Sequence, residues 1–140
     1  MLPDRLPDTT DALVLRTDFS DEDAWNTIRS LIRDPAAEFM AYVEFVSDSR
    51  YDGLTVEQLR SLSARSSYRT FAFLVDHLAV THPDHPLLVA DLADEPGRTF
   101  RVIPSAMWSV ENNLSLANMD FSDFAESTDN DNIFRGFPEA

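Results

Sequence analysis

The chain has 140 residues, a formal charge of −14, 44% hydrophobic and 26% charged residues. That balance excludes a wholly disordered chain and argues for one domain able to bury its own core. No apolar run reaches the roughly 18–20 residues of a membrane-spanning helix, and the absence of cysteine excludes disulfides, a thiol nucleophile and a Cys-ligated metal.

All eleven basic residues are arginines, against 25 acids. Without lysine there is no Schiff-base or P-loop lysine. Residues 1–70 carry 13 acids and 8 arginines, and residues 71–140 carry 12 acids and 3 arginines. A field of that sign repels nucleic acid and anionic lipid, whose binding depends on phosphate neutralisation. It suits solubility in a crowded cytoplasm, and it also suits an acidic face that docks on a basic protein partner. The N-terminus lacks the apolar stretch of a secretory signal, so a cytoplasmic location is expected.

Residues 1–11, with two prolines and no periodic pattern, predict an extended lead-in. Ala12 to Thr17 is a short apolar run of strand length. Ser20 is an N-cap candidate for a helix over 21–33, where Ala24, Trp25, Ile28, Leu31 and Ile32 follow helical spacing and Pro35 stops the run. Phe39 to Val46 reads as a second strand, apolar on both faces and therefore central. Thr55 and Gln58 form a capping-box pattern that opens a helix of about ten residues. Phe71 to Val75 is a third strand, and His77 to Pro86 reads as a loop. Leu87–Leu92 and Thr99–Ile103, joined by the turn signal Asp94-Glu95-Pro96-Gly97, predict an antiparallel hairpin. Pro104 opens a short helix through about Glu111, Leu114-Ser115-Leu116 alternates like a sixth strand, and Asp120 or Ser122 caps a last helix holding Phe121 and Phe124. The tail Ile133–Phe137 is apolar enough to dock on the body.

This order predicts an α/β (α+β) fold: one domain over 12–140, with a mixed five- or six-stranded sheet and three main helices. Trp25, Phe45, Phe73, Leu88, Val102 and Phe124 are the expected buried residues.

Three strands run into aspartates, at Asp18, Asp76 and Asp91. Ligands of open α/β sheets bind beyond the carboxyl ends of the strands, and carboxylates there can hold Mg²⁺. The competing reading is that each aspartate starts a turn or caps a helix. A phosphoryl-transfer site would also want a lysine or a glycine-rich loop, and the chain has only Gly53, Gly97 and Gly136. His77, His82 and His85 lack the helical i, i+4 spacing of a zinc pair and read as loop histidines. Asp129-Asn130-Asp131 lacks the glycine and the closing acid of a calcium loop. Arg16, inside an apolar strand, reads as an arginine with a buried stem and a paired head. The asparagines between Met107 and Phe121 predict an internal network, with an amide-lined pocket beside Trp108 as the alternative. No motif implies a cofactor.

The blocks Val14-Leu15-Arg16-Thr17-Asp18-Phe19-Ser20-Asp21, YDGLTVEQL (51–59), HPLLVADL (85–92), EPGRTFRVIP (95–104) and WSVENNLSLANMDFSDFA (108–125) resemble a family of small acidic proteins of unknown function, seen mainly in actinobacteria. That resemblance spans nearly the whole chain and implies no activity. The run NLSLANMDFSDFAES (113–127) is similar to the closing strand and helix of SMI1/KNR4-type immunity proteins. This resemblance implies a non-catalytic, toxin-binding module, so a protein-binding role of immunity-like or accessory kind is expected; the acidic charge of the second half adds the expectation of a basic partner engaged through Asp120, Asp123, Asp129 and Asp131. The alternative is a metal-dependent hydrolase or phosphoryl-transfer enzyme built on Asp18, Asp76 and Asp91.

Overall fold

The computed structural model describes residues 2–66 and 69–138. Within these residues six strands form one sheet: β1 (Ala12–Arg16), β2 (Val43–Val46), β3 (Phe71–Val75), β4 (Leu87–Asp91), β5 (Thr99–Val102) and β6 (Ile133–Phe134). Their order is β2-β1-β3-β4-β5-β6. Only β4 runs against the others. Among the described residues five α-helices accompany them: α1 (Glu22–Ile32), α2 (Val56–Ala64), α3 (His77–Thr81), α4 (Met107–Ser115) and α5 (Phe121–Ala125). The fold is the expected mixed α/β domain, with α1, α2 and α4 as its main helices.

The chain steps outward from β1 to β2, then back past β1 to β3. Right-handed crossovers made in opposite directions place their helices on opposite faces. Accordingly, α1 packs with Val14, Phe73 and Val75 on one face, together with residues of α3, α4 and α5. On the other face Leu59 and Leu62 of α2 pack with Leu13, Leu15, Ala72 and Leu74. The strand order reverses at β1, which makes the carboxyl ends of β1 and β3 the switch point where ligands of such sheets bind.

The lead-in belongs to this second face. Leu6 is buried there, and its N–H donates to Ser66 Oγ at 2.7 Å. Arg69, at the start of β3, grips the lead-in through the carbonyls of Pro7, Thr9 and Asp11 and the Thr9 hydroxyl.

Local signals account for most elements. Thr55 and Gln58 close their capping box on α2. The β4–β5 pair is antiparallel as expected. The cap of α1 is Asp21 rather than Ser20, its side chain accepting from the Ala24 N–H at 3.0 Å. Leu31 points to solvent. Of the expected core, Trp25, Phe73, Val102 and Phe124 are buried, whereas Phe45 and Leu88 are partly exposed.

Three expectations change. The strand over Phe39–Val46 shrinks to Val43–Val46, since the Tyr42 N–H goes to the Glu111 carboxylate instead of a neighbouring strand, and it lies at the sheet edge rather than centrally. The loop after Val75 begins with α3, whose cap is Asp76. Leu114-Ser115-Leu116 is no strand; it closes α4. Ala117 takes a left-handed φ of 55°. Its N–H bonds Leu114 O while Asn118 N–H bonds Asn113 O. That double closure is a Schellman motif, which carbonyls at a helix end favour. The sixth strand is the tail itself, Ile133–Phe134, parallel to β5.

Two substitutions probe this packing in urea denaturation. Phe73→Ala removes a fully buried ring from the core between the sheet and α1 and is expected to cost about 3–5 kcal/mol. Ala117→Gly relieves the left-handed strain and is expected to stabilise by about 0.5–1 kcal/mol.

Candidate functional site

At the switch point, Asp18 follows β1 and Asp76 follows β3. Asp18 accepts the Ser20 N–H and hydroxyl on one oxygen and meets His77 Nδ1 with the other at 3.0 Å. Burial works to raise the Asp18 carboxyl, but Ser20 and then His77 outweigh it and hold it below the ordinary aspartate value. An ionised carboxylate only accepts, so the His77 ring donates through Nδ1. His77 itself stands exposed at the first turn of α3.

The neighbouring charges are already engaged. Asp76 caps α3 through the Ala79 N–H, and both its oxygens receive the Arg101 guanidinium, at 2.9 and 2.7 Å. Such a bidentate pair is the strong form of a charge-assisted bond. Arg16 is buried as expected. It bonds Glu22 at 2.7 Å and the Ser47 hydroxyl at 3.3 Å, and its guanidinium lies 4.5 Å from the Phe19 ring centroid.

The third aspartate is elsewhere. Because β4 is antiparallel to β3, Asp91 pairs in register with Phe71, at the opening end of β3. Asp91 is only 2% exposed, and its carboxylate accepts the N–H groups of Ala93, Asp94 and Glu95. It closes the hairpin turn. Asp18, Asp76 and Asp91 therefore share no cleft. Among the described residues no three His, Cys, Asp or Glu side chains group to hold a metal ion. The other histidines are separate too: His82 Nδ1 accepts the Asp84 N–H and His85 Nδ1 bonds Ala79 O.

The four C-terminal acids lie on the surface, each bonded within the chain. Asp120 and Asp123 form the capping box of α5. Asp129 and Asp131 both bond Arg135 at 2.7 Å, and Arg135 also reaches Asp84 at 3.6 Å.

A different surface emerges from the asparagine-rich helix α4. Glu111 is 4% exposed and makes no ion pair among the described residues. It accepts instead from the Tyr42 N–H at 2.6 Å, the Ser115 hydroxyl at 2.6 Å and Asn112 Nδ2 at 3.1 Å. Asn112 Nδ2 also reaches Met40 O, and Asn113 Nδ2 bonds Ser109 O. The network expected around the asparagines exists, but it fastens segment 39–42 to α4. That segment leaves Phe39 51%, Met40 37% and Tyr42 64% exposed. Phe39 stacks on Trp108, centroids 4.5 Å apart. The alternation of Phe39–Val46 concealed this surface by reading as a central strand; the one sequence signal for it was an acid, Glu111, in a mostly apolar helix opening.

Two outcomes are expected. The folded value of Asp18 lies below its unfolded value, so its contribution is present above about pH 4 and is lost as pH falls through the folded value. Asp48, held down by its bonds to Arg50, and Asp131, held down by its bonds to Arg135, act in the same direction. Melting temperature should decline on acidification below about pH 4, and Asp18→Asn should flatten part of that decline. Glu111→Ala leaves buried donors without an acceptor and is expected to cost about 2–3 kcal/mol in urea denaturation, with faster hydrogen exchange at the Tyr42 amide.

No helix among the described residues is long and apolar enough to cross a membrane. No curated protein matches the chain. The model of a domain of unknown function, DUF6924, matches residues 11–137, and the chain belongs to that family.

Proposed function

We propose that this chain is a non-catalytic protein-binding module whose partner docks on segment 39–42 beside Trp108. The observation that carries the reading is the exposure of Phe39, Met40 and Tyr42 on a segment fastened to α4 by Glu111 and Asn112. Aromatic residues and Met are enriched in interface cores, where a few anchors carry most of the binding energy. A segment already held in place loses little freedom on binding. β2, beside it, is an edge strand of four residues.

The charge of −14 supports a basic partner, since complementary charge raises the rate of encounter and selects against acidic competitors. In this reading Asp120, Asp123, Asp129 and Asp131, each already bonded within the chain, add to the long-range field rather than to direct contact, Asp129 and Asp131 less so for their pairing with Arg135, and the aromatic segment supplies the anchor. An immunity-like role draws on the run at 113–127, of which the helix is present and the strand is not; an accessory binding module fits the surface better.

The test is affinity capture followed by titration of the captured species. Phe39→Ala with Tyr42→Ala should weaken that interaction at least tenfold, about 1.4 kcal/mol, while Leu31→Ala, at an exposed site on α1, leaves it unchanged. Association should slow as salt shortens the screening length toward about 8 Å. An interaction indifferent to the double substitution overturns the proposal.

A further inference from the structure

The lead-in is held the way a protein holds a peptide. We infer that the groove it occupies beside α2 is a peptide-binding site for an extended segment of a partner protein, bearing a leucine with an acidic residue two positions to either side, and that the lead-in is the built-in competitor for that groove.

Residues 2–11 form neither strand nor helix, and Leu6 alone among them is buried. It joins the apolar cluster of Tyr51, Leu54, Leu59 and Leu62. The remaining hold comes from domain side chains that bond the lead-in's backbone. Arg65 Nε donates to Asp4 O at 3.2 Å, the Tyr51 hydroxyl to Arg5 O at 3.3 Å, and Arg69 Nη2 to Pro7 O at 2.9 Å. The carbonyls of Thr9 and Asp11 also accept from Arg69, and Ser66 Oγ accepts the Leu6 N–H. Main-chain bonds give affinity for an extended chain whatever its sequence, and a side-chain pocket selects among sequences. Here the pocket selects leucine.

Charge narrows the occupant. Asp4 and Asp8 stand two residues before and after Leu6, on the segment that Arg65 and Arg69 grip. Burial pulls the Arg69 guanidinium below the ordinary arginine value, and the charge of Asp8 opposes that pull. An acidic segment therefore complements the two arginines.

Two observations make the lead-in replaceable. A segment with one buried side chain and no ladder opens locally, without unfolding the sheet. The matched family domain, residues 11–137, includes Tyr51, Arg65, Ser66 and Arg69 and leaves residues 2–10 outside. The groove belongs to the domain, whereas the segment that fills it does not. A tethered segment acts at an effective concentration of about millimolar, so a rival segment must bind more tightly than the lead-in's own contacts allow. This site rests on none of the residues of segment 39–42.

The experiment uses the full chain and a fluorescent synthetic peptide of residues 2–11, followed by anisotropy. Leu6→Asp in the chain withdraws the tethered leucine from its pocket, and the peptide should then bind about tenfold or more tightly than to the unsubstituted chain. A peptide carrying Leu6→Ser, and one carrying Asp4→Asn with Asp8→Asn, should each bind the Leu6→Asp chain more weakly, the first by about tenfold. In the unsubstituted chain the Leu6 amide should exchange its hydrogen about a hundredfold or more faster than the Phe73 amide of β3. Absence of binding to the Leu6→Asp chain at millimolar peptide overturns the inference, as does equal binding to both chains. So does a peptide indifferent to the loss of its leucine or of its acids, or exchange of the Leu6 and Phe73 amides at one rate.

Discussion

β1 and β3 must be covered on both faces, and the rest of the molecule is arranged to cover them. Leu13, Val14, Leu15 and Arg16 of β1 and all five residues of β3 are buried. A two-sided strand cannot be satisfied by helices from one direction. The reversal of strand order at β1 supplies helices to both sides, α1 to one and α2 to the other. α2 is only nine residues long, and Leu6 of the lead-in extends its cover. The lead-in has no strand or helix to hold it, and Arg69 replaces that missing ladder with side-chain bonds to its carbonyls.

Arginine does this kind of work throughout the chain. Arg16 sits at the end of β1, Arg69 at the start of β3, and Arg101 within β5, and each joins segments far apart in sequence. A guanidinium offers five donors in a fixed plane, so one side chain can bond several acceptors at once. A lysine could supply the charge but not the fork. The same economy limits the acidic surface. Arg135 gathers Asp84, Asp129 and Asp131 around one cation, so a stretch that reads as a free acidic face is partly neutralised.

What the sequence disclosed was local, and what it hid was pairing. The capping box at Thr55, the hairpin turn before Gly97 and the helix after Asp120 are written within a few adjacent residues, and all three form. The shortening of β2 to Val43–Val46 goes with a bond from Tyr42 to Glu111, 69 residues away along the chain. No nearby residue marks it. The two-residue strand β6 exists only because β5 offers it a partner. The aspartates failed as a group for the same reason. Each follows a strand, as the sequence says, but the direction of the strand decides which end of the sheet the carboxylate reaches.

Once separated, the three aspartates show what a carboxylate after a strand contributes. Asp76 caps a helix and receives an arginine, Asp91 closes a turn on three backbone N–H groups, and Asp18 binds a serine and a histidine. Leaving a strand frees backbone donors that have lost their ladder partners, and a short acidic side chain is the nearest acceptor. Asp91 is nearly inaccessible and is satisfied entirely by such donors, so its role is complete without any ligand. Asp18 differs, because its partner His77 faces solvent and keeps its second ring nitrogen free of bonds among the described residues. Of the three, Asp18 alone bonds exposed side chains, Ser20 and His77. The geometry of the switch point is therefore that of a charge-paired rim with an exposed imidazole on its outer edge.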